Sequence, residues 1–226
     1  HVYEKRYDEA LSLKSLDAGT STFIGSTCIA YGSITPPLIA ADYLAEKFWQ
    51  KVLEGSPAGY ALMGAKLSLA EEMTKIQGFL DGEDQKTLLS FILYGDPLAL
   101  HDGLGTMPKP LFRFKSYPSI KAISDSDMSL TSDTSEMPKQ VNKQVKKVVE
   151  KYLPGLQNAQ MQIKKSAGSM ASSKDPEGGS TQAEVPERYV VTLRKSYDQN
   201  PDMVHHHFAR MTFDKKGKLV KFSTSR

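Results

Sequence analysis

The sequence holds one cysteine, Cys28, and one tryptophan in 226 residues. A single thiol excludes an internal disulfide framework and any metal site built on cysteines, and it fits either redox compartment. No stretch approaches the roughly 20 apolar residues of a membrane-spanning helix. Neither sign of charge predominates, with 29 Lys and Arg against 26 Asp and Glu. The net charge of +3 is too small to argue for nucleic acid or an anionic membrane as partner. Gly-rich phosphate loops, a Ser-His-Asp signature and a paired-carboxylate motif are missing as well, and nothing calls for a cofactor or a metal. The chain begins at His1 with no initiator Met, which predicts that an upstream segment has been removed. What is there is ordinary in balance, 39% hydrophobic and 24% charged, in a length that suits one large domain or two small ones.

The most distinctive stretch is 22–33, Thr-Phe-Ile-Gly-Ser-Thr-Cys-Ile-Ala-Tyr-Gly-Ser. Its first part is uncharged and rich in Thr, Ile and Phe, the profile of a strand over Thr22 to Ile29 buried on both faces in a parallel sheet. In open sheets of that type ligands bind beyond the carboxyl ends of the strands. The loop from Ala30 to Pro37 is therefore the first place to look for a site; the plainer alternative is a turn toward the next helix.

Helical spacing and stop signals divide the first hundred residues. A short helix with Ala10, Leu11, Leu13 and Leu16 precedes the strand. Helices are then predicted from about Leu38 to Leu53, from Ser56-Pro57 to Ile76, and from Glu83 to Leu93, the last ended by Gly95-Asp96-Pro97. Gly, Pro, Ser and Asp break up 98–137, where short strands are expected at 111–115 and 119–123. Beyond Pro138 a helix with Val141, Val145, Val148 and Val149 on one face carries Lys139, Lys143, Lys146, Lys147 and Lys151 on the other. Alternation then predicts strands at Ala159–Ile163 and Tyr189–Leu193, and a hairpin of 204–213 with 218–224 around Asp214–Gly217. The intervening 166–186 is Ser/Gly/Ala-rich and reads as a mobile loop. One helix on an antiparallel sheet of about four strands buries these faces. The expected organisation is 1–105, a linker over 106–137, and a small α+β domain over 138–226.

Few residues offer chemistry. Cys28 lies in an apolar run with no His nearby in sequence, which favours a core role over a catalytic thiolate. His205, His206 and His207 suggest metal, but on a strand at most His205 and His207 share a face. His101-Asp102 fits a general-base pair or, more simply, a solvated turn. The Lys-rich helix suits an acidic partner or a solvated surface.

Tyr7 to Leu100 resembles the end of the catalytic domain of gingipain-type cysteine peptidases, in the caspase-like clan. The matching features are Asp8-Glu9-Ala10-Leu11, Phe23-Ile24-Gly25-Ser26-Thr27, Tyr31-Gly32-Ser33, Phe48, Ala61-Leu62-Met63-Gly64-Ala65-Lys66, and the closing Leu93-Tyr94-Gly95-Asp96-Pro97-Leu98. The resemblance implies an α/β fold, the carboxyl-terminal portion of a caspase-like α/β sandwich, which the small α+β domain read from the patterning above then follows. It implies a catalytic His and a nucleophilic Cys upstream of His1, so that no catalytic residue lies in this chain and Cys28 is not the nucleophile. Ile29, Ala30, Tyr31, Gly32, Ser33 and Ile34 would line the pocket for the residue before the scissile bond. The implied partners are an upstream fragment of the same precursor, carrying that His and Cys, and a peptide or protein substrate; secretion or a cell-surface location goes with the family. The competing expectation is a non-catalytic binding or regulatory protein whose carboxyl-terminal helix and sheet do the binding.

Overall fold

The computed structural model describes residues 10–101, 120–126, 128–130, 138–166, 186–200 and 203–225. The order is α1 (Leu11–Asp17), β1 (Thr22–Ser26), β2 (Tyr31–Ser33), α2 (Ala40–Leu53), α3 (Ala58–Gln77), α4 (Gly82–Ser90), β3 (Phe91–Gly95), β4 (Ser129–Leu130), α5 (Lys139–Tyr152), β5 (Gln160–Ser166), β6 (Arg188–Asn200), β7 (Met203–Asp214) and β8 (Leu219–Ser225). The fold is mixed α/β, and every strand ladder among the described residues is antiparallel.

The strand expected over Thr22 to Ile29 is shorter and differently placed. It stops at Ser26, is half-buried along its length, and pairs antiparallel with β3 in a two-stranded sheet, Thr22 opposite Gly95 through Ser26 opposite Phe91. The parallel sheet expected around it is therefore replaced, among the described residues, by a ribbon. Its partner comes from a stretch read as helix: α4 ends at Ser90, and Phe91–Gly95 extends. Phe-Ile-Leu-Tyr is a short apolar run whose periodicity suits either state, and pairing with β1 decides for strand. Leu89, near the end of α4, is 79% exposed. Helices α2 and α3 pack together, and Ile24, Phe91 and Leu93 of the ribbon lie against the core they share, built on Leu44, Leu62, Ala65, Leu69 and Met73.

The second sheet has six strands in the order β2-β8-β7-β6-β5-β4. The expected hairpin is present, with Phe213 opposite Leu219 and Gly217 in the left-handed region at φ +80° donating its N–H to Asp214 O. Strand alternation gives each face its own character. Tyr189, Val191, Leu193, Ala209, Met211, Phe213 and Phe222 face Val141, Val145, Val148 and Val149 of α5. Val190 turns to the opposite face, where it meets Phe79, Ile123 and Met128. Leu80 forms an isolated parallel bridge with Ala122, in place of a strand over 120–123; the expected strand at 111–115 and, but for its end residues, the loop 166–186 lie outside the described residues. Two features cross the expected boundary at 106–137. Tyr31–Ser33 forms the edge of the second sheet against Ser223–Ser225 of β8, and the start of α4 packs on that sheet's second face.

Candidate functional site

Where α4 meets the second sheet, charge is buried. Asp81 caps α4: its Oδ1 accepts from the N–H groups of Glu83 and Asp84 at 3.0 Å, while Asp84 Oδ2 accepts from Asp81 N–H. This reciprocal box fixes the Asp81 and Asp84 carboxylates at the helix start. Residues 210, 221 and 223 share one face of β7 and β8, the face away from α5, because Arg210 lies opposite Ser223 and Thr212 opposite Lys221. Lys221 Nζ donates to both Asp81 oxygens at 3.0 Å and to Asp84 Oδ1 at 2.7 Å, and lies 3.5 Å from Glu83 Oε2. Ser223 Oγ donates to Glu83 Oε2 at 2.5 Å, and Gln77 Nε2 to Asp84 Oδ2 at 2.6 Å. Arg210 forks onto Asp125 at 2.6 and 2.7 Å, with its Nε 3.9 Å from Glu83 Oε1. Asp81, Glu83, Asp84, Arg210 and Lys221 are all at least 94% buried.

Four carboxylates thus face two cations. Fully ionised, the cluster would carry two uncompensated negative charges in a medium that penalises them. Burial raises the Asp84 carboxyl to about 7 against the pull of Lys221, and raises Glu83 as well. Asp81 is also pushed up by burial, but Lys221, Arg210 and the bond from Asp84 N–H outweigh this and hold it below the usual carboxylate range. Burial acts upward on Asp125 too, and the Arg210 fork brings it below its ordinary value. Arg210 and Lys221 are held charged by these same partners, against burial. Each carboxylate oxygen of the cluster accepts a hydrogen bond except Glu83 Oε1, which is buried without one and lies 3.9 Å from Arg210 Nε, and these bonds fasten α4 to the sheet.

The loop expected to line a pocket runs beside this cluster. Ile29, Ala30, Tyr31 and Ile34 are half-buried, and Gly32 and Ser33 are buried. Tyr31, Gly32 and Ser33 are paired to β8 and form an edge strand, not an open wall. Ser33 is the fastening point: its N–H donates to Asp42 Oδ2 and its Oγ accepts from Ile39 N–H, each at 2.7 Å, which ties β2 to the start of α2. There Ala40, fully buried, takes the left-handed φ of +48°, a strained value for a residue with a Cβ. The Tyr31 ring has Lys86 Nζ 5.1 Å from its centroid, and its hydroxyl is raised by burial and by the nearby Glu83 charge.

Cys28 is half-buried in the turn after β1, its carbonyl accepting from Ser26 Oγ at 2.8 Å. The histidine triplet lies on β7. His206 Nδ1 is 2.8 Å from Ser196 Oγ and His207 Nε2 is 3.1 Å from Thr224 Oγ1; the side chain of His205 and residue Asp102 lie outside the described residues. Among the described residues no group of three His, Cys, Asp or Glu side chains is arranged to hold a metal ion.

Sequence reasoning missed the ionic cluster. Its signal was present in two places: charged residues at alternate positions of apolar strands, Arg210 between Ala209 and Met211 and Lys221 between Val220 and Phe222, and the acidic Asp-Gly-Glu-Asp at the head of α4. No protein-family model, curated protein or solved structure matches this chain.

Proposed function

We propose that this chain is the part of a gingipain-type cysteine endopeptidase that follows the nucleophile, the carboxyl-terminal portion of a caspase-like sandwich with an appended sheet. The observation that carries the reading is the β1–β3 ribbon. Two paired strands are marginal in water by themselves, yet here they are backed by α2 and α3 and have no third strand among the described residues. Two last strands with helices on one face are what an α/β sandwich leaves when its inner strands belong to an upstream fragment. Backbone groups on an open strand edge favour such a partner. In the assembled enzyme an upstream His would serve as acid and base for an upstream thiolate, and backbone N–H groups would stabilise the oxyanion. This chain would supply the terminal strands and, through the half-buried Ile29 and Ala30, a side of the substrate groove.

The test is co-expression with the upstream coding segment. A two-chain complex that cleaves a peptide substrate, and whose activity is lost on alkylating an upstream cysteine while the Cys28→Ser form stays active, supports the proposal. An upstream segment without a His-Gly pair and a Cys overturns it. A second reading, a non-catalytic binding or regulatory protein, is favoured by the burial of Gly32 and Ser33 and their pairing to β8. It predicts that residues 1–226 alone are a soluble monomer with one cooperative melting transition.

A further inference from the structure

The first turn of α5 contains no acidic residue, although the positive end of a helix favours one. It carries Lys139 and is followed by Lys143 and Lys147, exposed like-charge residues one turn apart, a spacing that disfavours the helix. Across from them the β7–β8 turn brings Lys216 and Lys218, also exposed. The turn is seated against the helix at Gly217. A Cβ there would come within 3.0 Å of Gln140 Cβ and 3.3 Å of Val141 N, and the φ of +80° suits glycine alone. Asp214, the acidic residue of this turn, has its Oδ1 taken up by the N–H groups of Lys216 and Lys218. Between helix and turn lies a groove of about 400 Å³ lined by Gln140, Lys143, Gln144, Lys147, Lys216 and Lys218. Among the described residues none of these four lysines forms an ion pair.

We propose that this groove binds an acidic polypeptide segment, its carboxylates taken by the four lysines and its backbone amides by Gln140 and Gln144. The lining decides the class of partner. It contains no arginine to fork onto phosphate and no aromatic ring on which a base would stack, whereas lysines one helical turn apart, their Cβ atoms separated by about 6 Å, suit carboxylates on alternate residues of an extended chain, about 7 Å apart. The amides of Gln140 and Gln144 both donate and accept, which suits a peptide backbone. The groove lies at the opposite end of β8 from the strand pairing with Tyr31–Ser33, six residues or about 20 Å along the strand, so it does not depend on the peptidase reading.

The experiment is fluorescence anisotropy with the full chain and a labelled ten-residue peptide of alternating Glu and Ala, at low and physiological salt. The double substitutions Lys143→Gln/Lys147→Gln and Lys216→Gln/Lys218→Gln are each expected to weaken binding about tenfold. Lys14→Gln/Lys51→Gln, on α1 and α2, removes the same charge outside the groove and is expected to weaken it less than about threefold. Lys143→Arg/Lys147→Arg, which keeps the charge, should retain binding. Unchanged melting temperatures of all variants keep the comparison on the surface. Equal losses in groove and control variants, tighter binding of a single-stranded oligonucleotide of equal charge, or no binding of the peptide at low salt would each overturn the proposal.

Discussion

Replacing Lys221 by Met keeps the length of the side chain and removes its charge. In the wild-type chain that ammonium is 97% buried, donates to Asp81 and Asp84, and sits 3.5 Å from Glu83. Without it, four carboxylates share Arg210 as the remaining cation of the cluster. Removing one partner of a buried ion pair costs roughly 3–5 kcal/mol, because the other partner is left uncompensated. In a chain of this size each kcal/mol lowers Tm by about 2–4 °C, so Lys221→Met is expected to melt roughly 6–20 °C below wild type. The loss should be larger at pH 8 than at pH 5, since protonation of the orphaned carboxylates relieves it. Adding Asp84→Asn to the Lys221→Met background should recover part of it, which packing alone would not produce. Urea titrations at the two pH values check all three forms. A loss under about 1 kcal/mol, or one that is equal at both pH values and unmoved by Asp84→Asn, would refute the reasoning.

Wild-type stability should itself fall as pH rises from 5 to 7.5. Asp84 titrates near 7 when folded and in the ordinary range near 4 when unfolded, so folding takes up a proton between those values, and the stability this gives is complete below the unfolded pKa and lost as pH climbs toward 7. Asp81 and Asp125 act in the opposite sense below about pH 4, and Asp84→Asn should flatten the slope between pH 5 and 7.5 in urea midpoints. Ser33→Ala removes the acceptor for the Ile39 N–H and is expected to cost about 1–3 kcal/mol, read by chemical denaturation. Gly217→Val forces a β-branched side chain into a left-handed turn against Gln140 and should cost at least about 1–2 kcal/mol, with α5 losing amide-exchange protection first. Cys28→Ala should change stability by no more than about 1 kcal/mol, consistent with a half-buried side chain.

The elements with long, regular patterning were legible from the amino acids themselves. The valines at 141, 145, 148 and 149 recur at helical spacing, and α5 buries all four. The alternation of Tyr189, Val191 and Leu193, and the Asp214–Gly217 turn, likewise became β6 and the β7–β8 hairpin. These patterns are local: a helix or a hairpin satisfies most of its backbone within a few residues, so its period is written into its own sequence. The N-terminal strands were legible as strands only in part, because a short apolar run has no period long enough to separate helix from sheet. Phe91–Gly95 became β3 through its pairing with Thr22–Ser26, some seventy residues away. The joining of Tyr31–Ser33 to β8 and the meeting of Asp81, Glu83 and Asp84 with Arg210 and Lys221 bring together parts of the chain more than a hundred residues apart. Nothing local encodes such a meeting. A lysine in a strand reads as solvent-facing until the fold supplies carboxylates opposite it, and the burial of that charge depends on every element that closes over it.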